Sequence, residues 1–164
     1  MLSLLVALVA APWAHPLAFQ ATTGWTTGKS GNTRSVYVGH NQWAKEPLES
    51  AAWMARGVRY RDPATADPPN RTLAKLPQDG VVVWAIISRS RSPKAKPIRL
   101  DFGRVKRFAC CDAIRVPAEY ELTGSGLQHA YSVIVRIYFG AKPSRTMRAE
   151  AQHALRRLDL PAPT

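Results

Sequence analysis

The segment "DGVVVWAIIS" carries an unbroken apolar run, Val81 to Ile87, behind an Asp79-Gly80 turn signal. In an extended chain Val81, Val83, Ala85 and Ile87 fall on one side, and Val82, Trp84 and Ile86 on the other. A strand that is apolar on both sides belongs inside a sheet covered on both faces. "YSVIVRIYFG" predicts a second strand, with Val133, Val135, Ile137 and Phe139 on one face. "IRLDFG" alternates Ile98, Leu100 and Phe102 with Arg99 and Asp101 and predicts a third. Shorter strands are expected around Val36–Val38 and in "GVRYRD", and "YELTGSG" reads as a strand end running into a glycine turn.

The period changes near the C-terminus. In "SRTMRAEAQHALRRL", Met147, Ala151, Ala154, Leu155 and Leu158 make one stripe at helical spacing, with Ser144 as N-cap. Pro161 and Pro163 mark its end. "EPLESAAWMAR" predicts a short helix entered at Pro47, and "RTLAKL" a helical turn before Pro77. The Gly-, Thr- and Ser-rich run from Ala21 to Arg34 reads as a linker or irregular loop, and Asp62 to Asn70 as a Pro-rich loop. Together these elements predict a β-rich α+β protein with a C-terminal helix, its strands forming a sandwich or a single antiparallel sheet. The expected division is an apolar segment over 1–18, a flexible linker over 19–34 and one globular domain over 35–161.

Charge adds a functional direction. The 164 residues carry a net charge of +12, which favours anionic partners and says nothing of fold. The excess is uneven: residues 1–82 hold eight basic and five acidic side chains, residues 83–164 fifteen and six. Between Arg89 and Arg107 there are eight basic residues and one acid, Asp101. "SRSRSPKAKPIR" joins two expected strands, and Pro93 and Pro97 keep it out of regular helix. Arg89, Arg91, Lys94, Lys96 and Arg99 are therefore the candidate anion-binding residues, on an exposed connection. Arg104, Lys106 and Arg107 continue the charge, and Arg145, Arg148, Gln152 and Arg156 line up on the helix. The loop has no interleaved aromatics for base stacking, so specific nucleic-acid reading is disfavoured.

Catalytic motifs fail on spacing. "GWTTGKS" leaves three residues between Gly24 and Gly28 where a phosphate-binding P-loop needs four. Gly124-Ser125-Gly126 lacks the G-x-S-x-G arrangement of a nucleophile elbow. Glu119 and Glu121 share a strand face, for which an exposed strand edge is the simpler account. His15, His40, His129 and His153 are scattered, and neither a metal site nor a cofactor is expected. Cys110 and Cys111 are adjacent, too close for an unstrained disulfide, and read as small core side chains. Trp25, Tyr37, Trp43, Trp53 and Tyr60 read as core aromatics.

Leu2 to Ala11 is apolar apart from Ser3, too short to span a bilayer and of the length of a signal's apolar region, with cleavage after Ala14 or Ala18. No Lys or Arg precedes it, so a truncated anchor or a buried helix are the alternatives. From Gly57 to Pro161, on "LPQDGVVVWAIISR" and "VRIYFGAKPSRTMRAEAQHALRRLDLP", the chain resembles small uncharacterised envelope proteins of high-GC Gram-positive bacteria. That resemblance implies an anchored N-terminus and brings no activity or site residues.

The resulting expectation is a non-enzymatic, extracellular or membrane-anchored domain. Its partner would be an anionic envelope polymer, anionic lipid or acidic protein. A cytoplasmic nucleic-acid binder and an enzyme with a spatially assembled site are the alternatives. The intact mass of the protein from its native host tests export. A chain starting between Pro12 and Phe19 outside the cytoplasm is expected, and an uncleaved cytosolic chain would overturn it.

Overall fold

A computed structural model describes residues 17–30, 33–39, 42–47, 50–58, 73–88, 96–108, 117–126 and 131–161. The fold is β-rich α+β with a C-terminal helix. The strands are β1 (Ala18–Phe19), β2 (Trp25–Ser30), β3 (Thr33–Gly39), β4 (Gln42–Pro47), β5 (Ser50–Arg56), β6 (Val81–Ser88), β7 (Lys106–Arg107), β8 (Ala118–Ser125), β9 (Ser132–Phe139) and β10 (Leu158–Asp159). Six of them form one antiparallel sheet in the order β2-β5-β6-β9-β8-β7. The hairpin β3–β4 and the pair β1–β10 form separate two-stranded ladders.

Strand β6 lies inside the sheet, as its two apolar sides require. Val81, Val83, Ala85 and Ile87 pack with Val133, Val135, Ile137 and Phe139 of β9 under the helix α1 (Arg145–Arg156). Met147, Ala151, Ala154 and Leu155 are the buried stripe of α1, and the Ser144 side chain accepts the Met147 N–H at 3.2 Å. On the opposite face Val82, Trp84 and Ile86 pack with Trp53, Tyr138 and the pair Leu73 and Leu76 from the turn before Pro77. Neither face of β6 meets water.

Three expectations are corrected. Residues 19–34 are not a linker: Trp25–Ser30 is the edge strand β2, paired with β5 along its whole length. Its polar Thr-rich composition suits an edge with one wet side, and that is why it reads as loop. "SAAWMAR" is strand β5, not helix. Its alanines favour helix in isolation, but Ala52 and Met54 fill one core while Ala51, Trp53 and Ala55 fill the other. "IRLDFG" keeps its alternation, with Ile98, Leu100 and Phe102 half-buried and Arg99 and Asp101 exposed. It makes no ladder, however: beyond an isolated bridge at Pro97 it turns into a 3₁₀ segment, Phe102–Arg104. The expected strands in "SVYVGHNQW" and "YELTGSG" are present as β3 and β8, β8 being longer than a strand end.

The domain also starts earlier than residue 35. Leu17 is fully buried, Phe19 lies in the same core, and β1 pairs Ala18 with Asp159 and Phe19 with Leu158. Gln20 N–H donates to the Arg157 carbonyl at 2.9 Å, and the Tyr131 hydroxyl donates to the Pro161 carbonyl at 2.7 Å. The two ends of the described chain are thus tied to each other beside α1. Cleavage after Ala18 would remove Leu17 from the core, whereas cleavage after Ala14 would spare it. Leu17→Ala is expected to cost about 2–5 kcal/mol in a denaturant melt. A loss below about 0.5 kcal/mol would show that this segment is not part of the folded unit.

Candidate functional site

One row of residues crosses all six strands. The registers align Gly28, Trp53, Trp84, Arg136, Glu121 and Lys106, one from each strand in sheet order. At one end the Trp53 indole lies over Gly28, where a Cβ would come within 2.4 Å of the ring. Only glycine fits there. At the centre the Arg136 guanidinium sits 5.7 Å from the Trp84 ring and 4.7 Å from the Phe108 ring. Its Nε donates to Glu121 Oε2 at 3.1 Å. A half-buried guanidinium needs this kind of partner, because an unpaired charge out of water is costly. Burial pulls the Arg136 pKa down, but Tyr138 and Glu121 more than offset this and hold it above the ordinary arginine value.

The row ends at Lys106, on the wall of a cavity. The outer edge of β8 is covered twice. Lys106 and Arg107 pair with Glu121 and Tyr120. Further on, Ser125 N–H donates to the Lys96 carbonyl at 2.9 Å and the Ser125 carbonyl accepts from Ile98 N–H at 2.8 Å. This second strip lies close because residue 124 is glycine: a Cβ there would approach the Ile98 backbone to 2.8 Å. Between the two strips no described strand pairs with the edge of β8. Ser125 and Glu119 both turn backbone polar groups to this edge, so by the two-residue period Thr123 does too.

A cavity of about 890 Å³ occupies the gap. Lys96 and Arg99 line it from one strip, Arg104 and Lys106 from the other, over a floor that includes Thr123, Gly124 and Ile134. All four basic residues are exposed. No carboxylate lines this cavity or pairs with any of the four among the described residues. A smaller cavity of about 310 Å³ adjoins it, sharing Arg104, Lys106, Leu122 and Thr123 and adding Arg107, Phe108 and Glu121. Glu121 is the one acid on either wall among the described residues, and its carboxylate is engaged by Arg136. Among the described residues, no free carboxylate compensates the positive potential of the gap.

The turn that carries Arg99 and Arg104 is held from both sides. Asp101 Oδ1 accepts the Gly103 N–H at 2.9 Å, and Phe102 packs tilted against Tyr120 and edge-to-face against Phe139 at centroid distances of 5.7 and 5.9 Å. From α1, Gln152 Oε1 accepts the Phe102 N–H at 2.7 Å and Gln152 Nε2 donates to the Leu100 carbonyl at 3.1 Å. Such anchoring lowers the entropy that the two arginines lose when an anion binds.

Of the candidate anion-binding residues, Lys96 and Arg99 meet in the cavity, while Arg89, Arg91 and Lys94 lie outside the described residues. Arg104 and Lys106 join them there. Their signal in the sequence is the basic run to Arg107, but nothing in spacing alone brings them across from Lys96. His15, His40, His129, Cys110 and Cys111 also lie outside the described residues, and His153 sits half-buried in the last turn of α1. Among the described residues no group of three or more His, Cys, Asp or Glu is arranged to hold a metal ion.

Glu119 and Glu121 do share a strand face, but they are not on an exposed edge. Strand β7 covers β8 at Tyr120 and Glu121, and Phe108 N–H bonds to the Glu119 carbonyl at 3.0 Å. Glu119 is buried as a result. Burial raises its pKa above the ordinary carboxylate value; Arg136 and a hydrogen bond with Tyr138 offset part of the rise, and Glu121 adds to it.

These features define an antiparallel β-sheet domain with a helix on one face and a cationic cavity at one edge. The chain matches no protein-family model, no curated protein and no solved structure.

The raised Glu119 pKa has a measurable consequence. Folding favours its protonated form, so its contribution is fully present below the ordinary carboxylate value and is lost as pH rises through the raised one. Glu119→Gln, neutral throughout, is expected to gain stability relative to the native protein as pH rises above the ordinary carboxylate value of about 4 in denaturant titrations. Parallel profiles would show an ordinary carboxylate at this position.

Proposed function

We propose that this protein is a non-enzymatic anion-binding domain. In this reading it is exported or membrane-anchored and uses the cavity on β8 to hold an anionic envelope component. The observation that carries the reading is the cavity wall: Lys96, Arg99, Arg104 and Lys106 converge on one space with no opposing carboxylate among the described residues. Four cations around one concavity focus positive potential and draw phosphate, sulfate or carboxylate groups into it. Arginine adds bidentate geometry toward such oxyanions.

The location rests on the apolar N-terminal run and on the resemblance to envelope proteins. Among the described residues no helix is long and apolar enough to cross a membrane. An exported domain with a net charge of +12 would meet the anionic polymers of an envelope directly.

Co-sedimentation of the purified full chain with isolated envelope material tests the reading. The native chain is expected to pellet at low salt and to be released as salt rises. Replacing Lys96, Arg99, Arg104 and Lys106 together with Gln is expected to weaken binding by at least about tenfold, because most of the free energy is counterion release. The circular dichroism spectrum should not change, since all four side chains are exposed. Unchanged binding by a folded quadruple variant would rule the cavity out.

A further inference from the structure

The cavity holds more positive charge than one small oxyanion needs, and the cations do not stop at its rim. Gln152 fixes the turn between Leu100 and Phe102 to the outer side of α1. Arg148 and Arg156 lie one turn before and one turn after Gln152, about 6 Å away along the axis in each direction. Positions four apart share a helix face, so both arginines flank the clamp. Both are exposed, and neither is ion-paired among the described residues. Glu150, the acid of α1, is turned elsewhere and pairs with Arg56. The turn residues Arg99 and Arg104 thus face the cavity, and the same turn abuts a basic strip on the helix.

We infer that the ligand is an extended, phosphate-rich polymer that enters the cavity on β8 and continues over the turn 99–104 along the Arg148–Arg156 side of α1. This rests on the proposed anion-binding function and assigns its ligand class. Three observations favour a linear polyanion. The cavity, at about 890 Å³, has cations on opposite walls rather than one focal cradle. The strip beyond it carries two cations, Arg148 and Arg156, about two turns apart along one direction. Among the described residues the walls of the larger cavity carry no aromatic side chain, so charge on a backbone is read and bases are not. Anionic membrane is disfavoured by the same walls, because the site is concave and its described rim offers no large exposed apolar side chain for insertion.

Binding of inorganic tripolyphosphate and of long-chain polyphosphate to the full chain, measured by calorimetry across a salt series, separates the outcomes. Arg148→Gln with Arg156→Gln is expected to leave tripolyphosphate affinity unchanged. It should weaken the long chain about tenfold at low salt and reduce the slope of log K against log salt by about 1.4, the loss of two phosphate contacts on a flexible strand. The quadruple cavity variant should weaken both ligands. If the helix variant binds the long chain as the native protein does, the path along α1 is wrong while the cavity reading stands. If the cavity variant binds both ligands unchanged, the underlying function fails as well. Tighter binding to anionic vesicles, or to single-stranded DNA of equal charge, than to long-chain polyphosphate would overturn the ligand class.

Discussion

The Arg136 guanidinium, held by the Glu121 carboxylate and facing the rings of Trp84 and Phe108, sits where the sheet changes character. On one side of it the row across the strands is aromatic and buried, through Trp84 and Trp53 to Gly28. On the other it is charged and leads through Glu121 to Lys106 at the cavity. A half-buried cation is costly without a partner, and Glu121 is that partner. The pairing has a second effect. It engages the one described acid of the cavity walls, so Lys106 and Arg104 have no carboxylate partner among the described residues. The interaction that makes the second face of the sheet stable is also what leaves the cavity positive.

The backbone contributes as much as the charges. Two short strips, 96–98 and 106–107, pair with the same edge of β8, and no other described strand pairs with Leu122 to Gly124 between them. Gly124 lets the first strip approach, and Gln152 pins the turn that links the strips. Four cations from separated positions are thereby set around one space by main-chain hydrogen bonds, which leave their side chains unengaged among the described residues. The geometry is close to that of a binding loop on a rigid scaffold: long, exposed side chains at the tips and hydrogen-bonded main chain beneath.

The two chain ends serve the same scaffold. Leu17 and Phe19 enter the core beneath α1, and β1 pairs with β10 just past the helix. This closes the helix-covered face, whose integrity positions Gln152. The site at the β8 edge is therefore linked to the N-terminal strand through α1, although the two share no residue.

The sequence by itself determined the elements whose apolar pattern admits one solution. An apolar run such as Val81–Ile87 has nowhere to go but the middle of a sheet, and the stripe from Met147 to Leu155 with Ser144 before it has one helical reading, whereas Leu158, at the same spacing, passes into strand β10. It also marked the basic density from Arg89 to Arg107, because charge is a property of composition. Three things were decided only by tertiary structure. Trp25–Ser30 and Ser50–Arg56 became strands because neighbouring strands supplied the hydrogen bonds and both cores accepted their small and aromatic side chains, against a local preference for loop and helix. Glu119 was buried rather than exposed because β7 and Phe108 cover that part of β8, a pairing across more than ten residues of chain. The cavity itself arose because Lys96 and Lys106 bind the same strand edge at different heights. Distance along a chain does not encode which edge two segments will share, and only the folded sheet settles that.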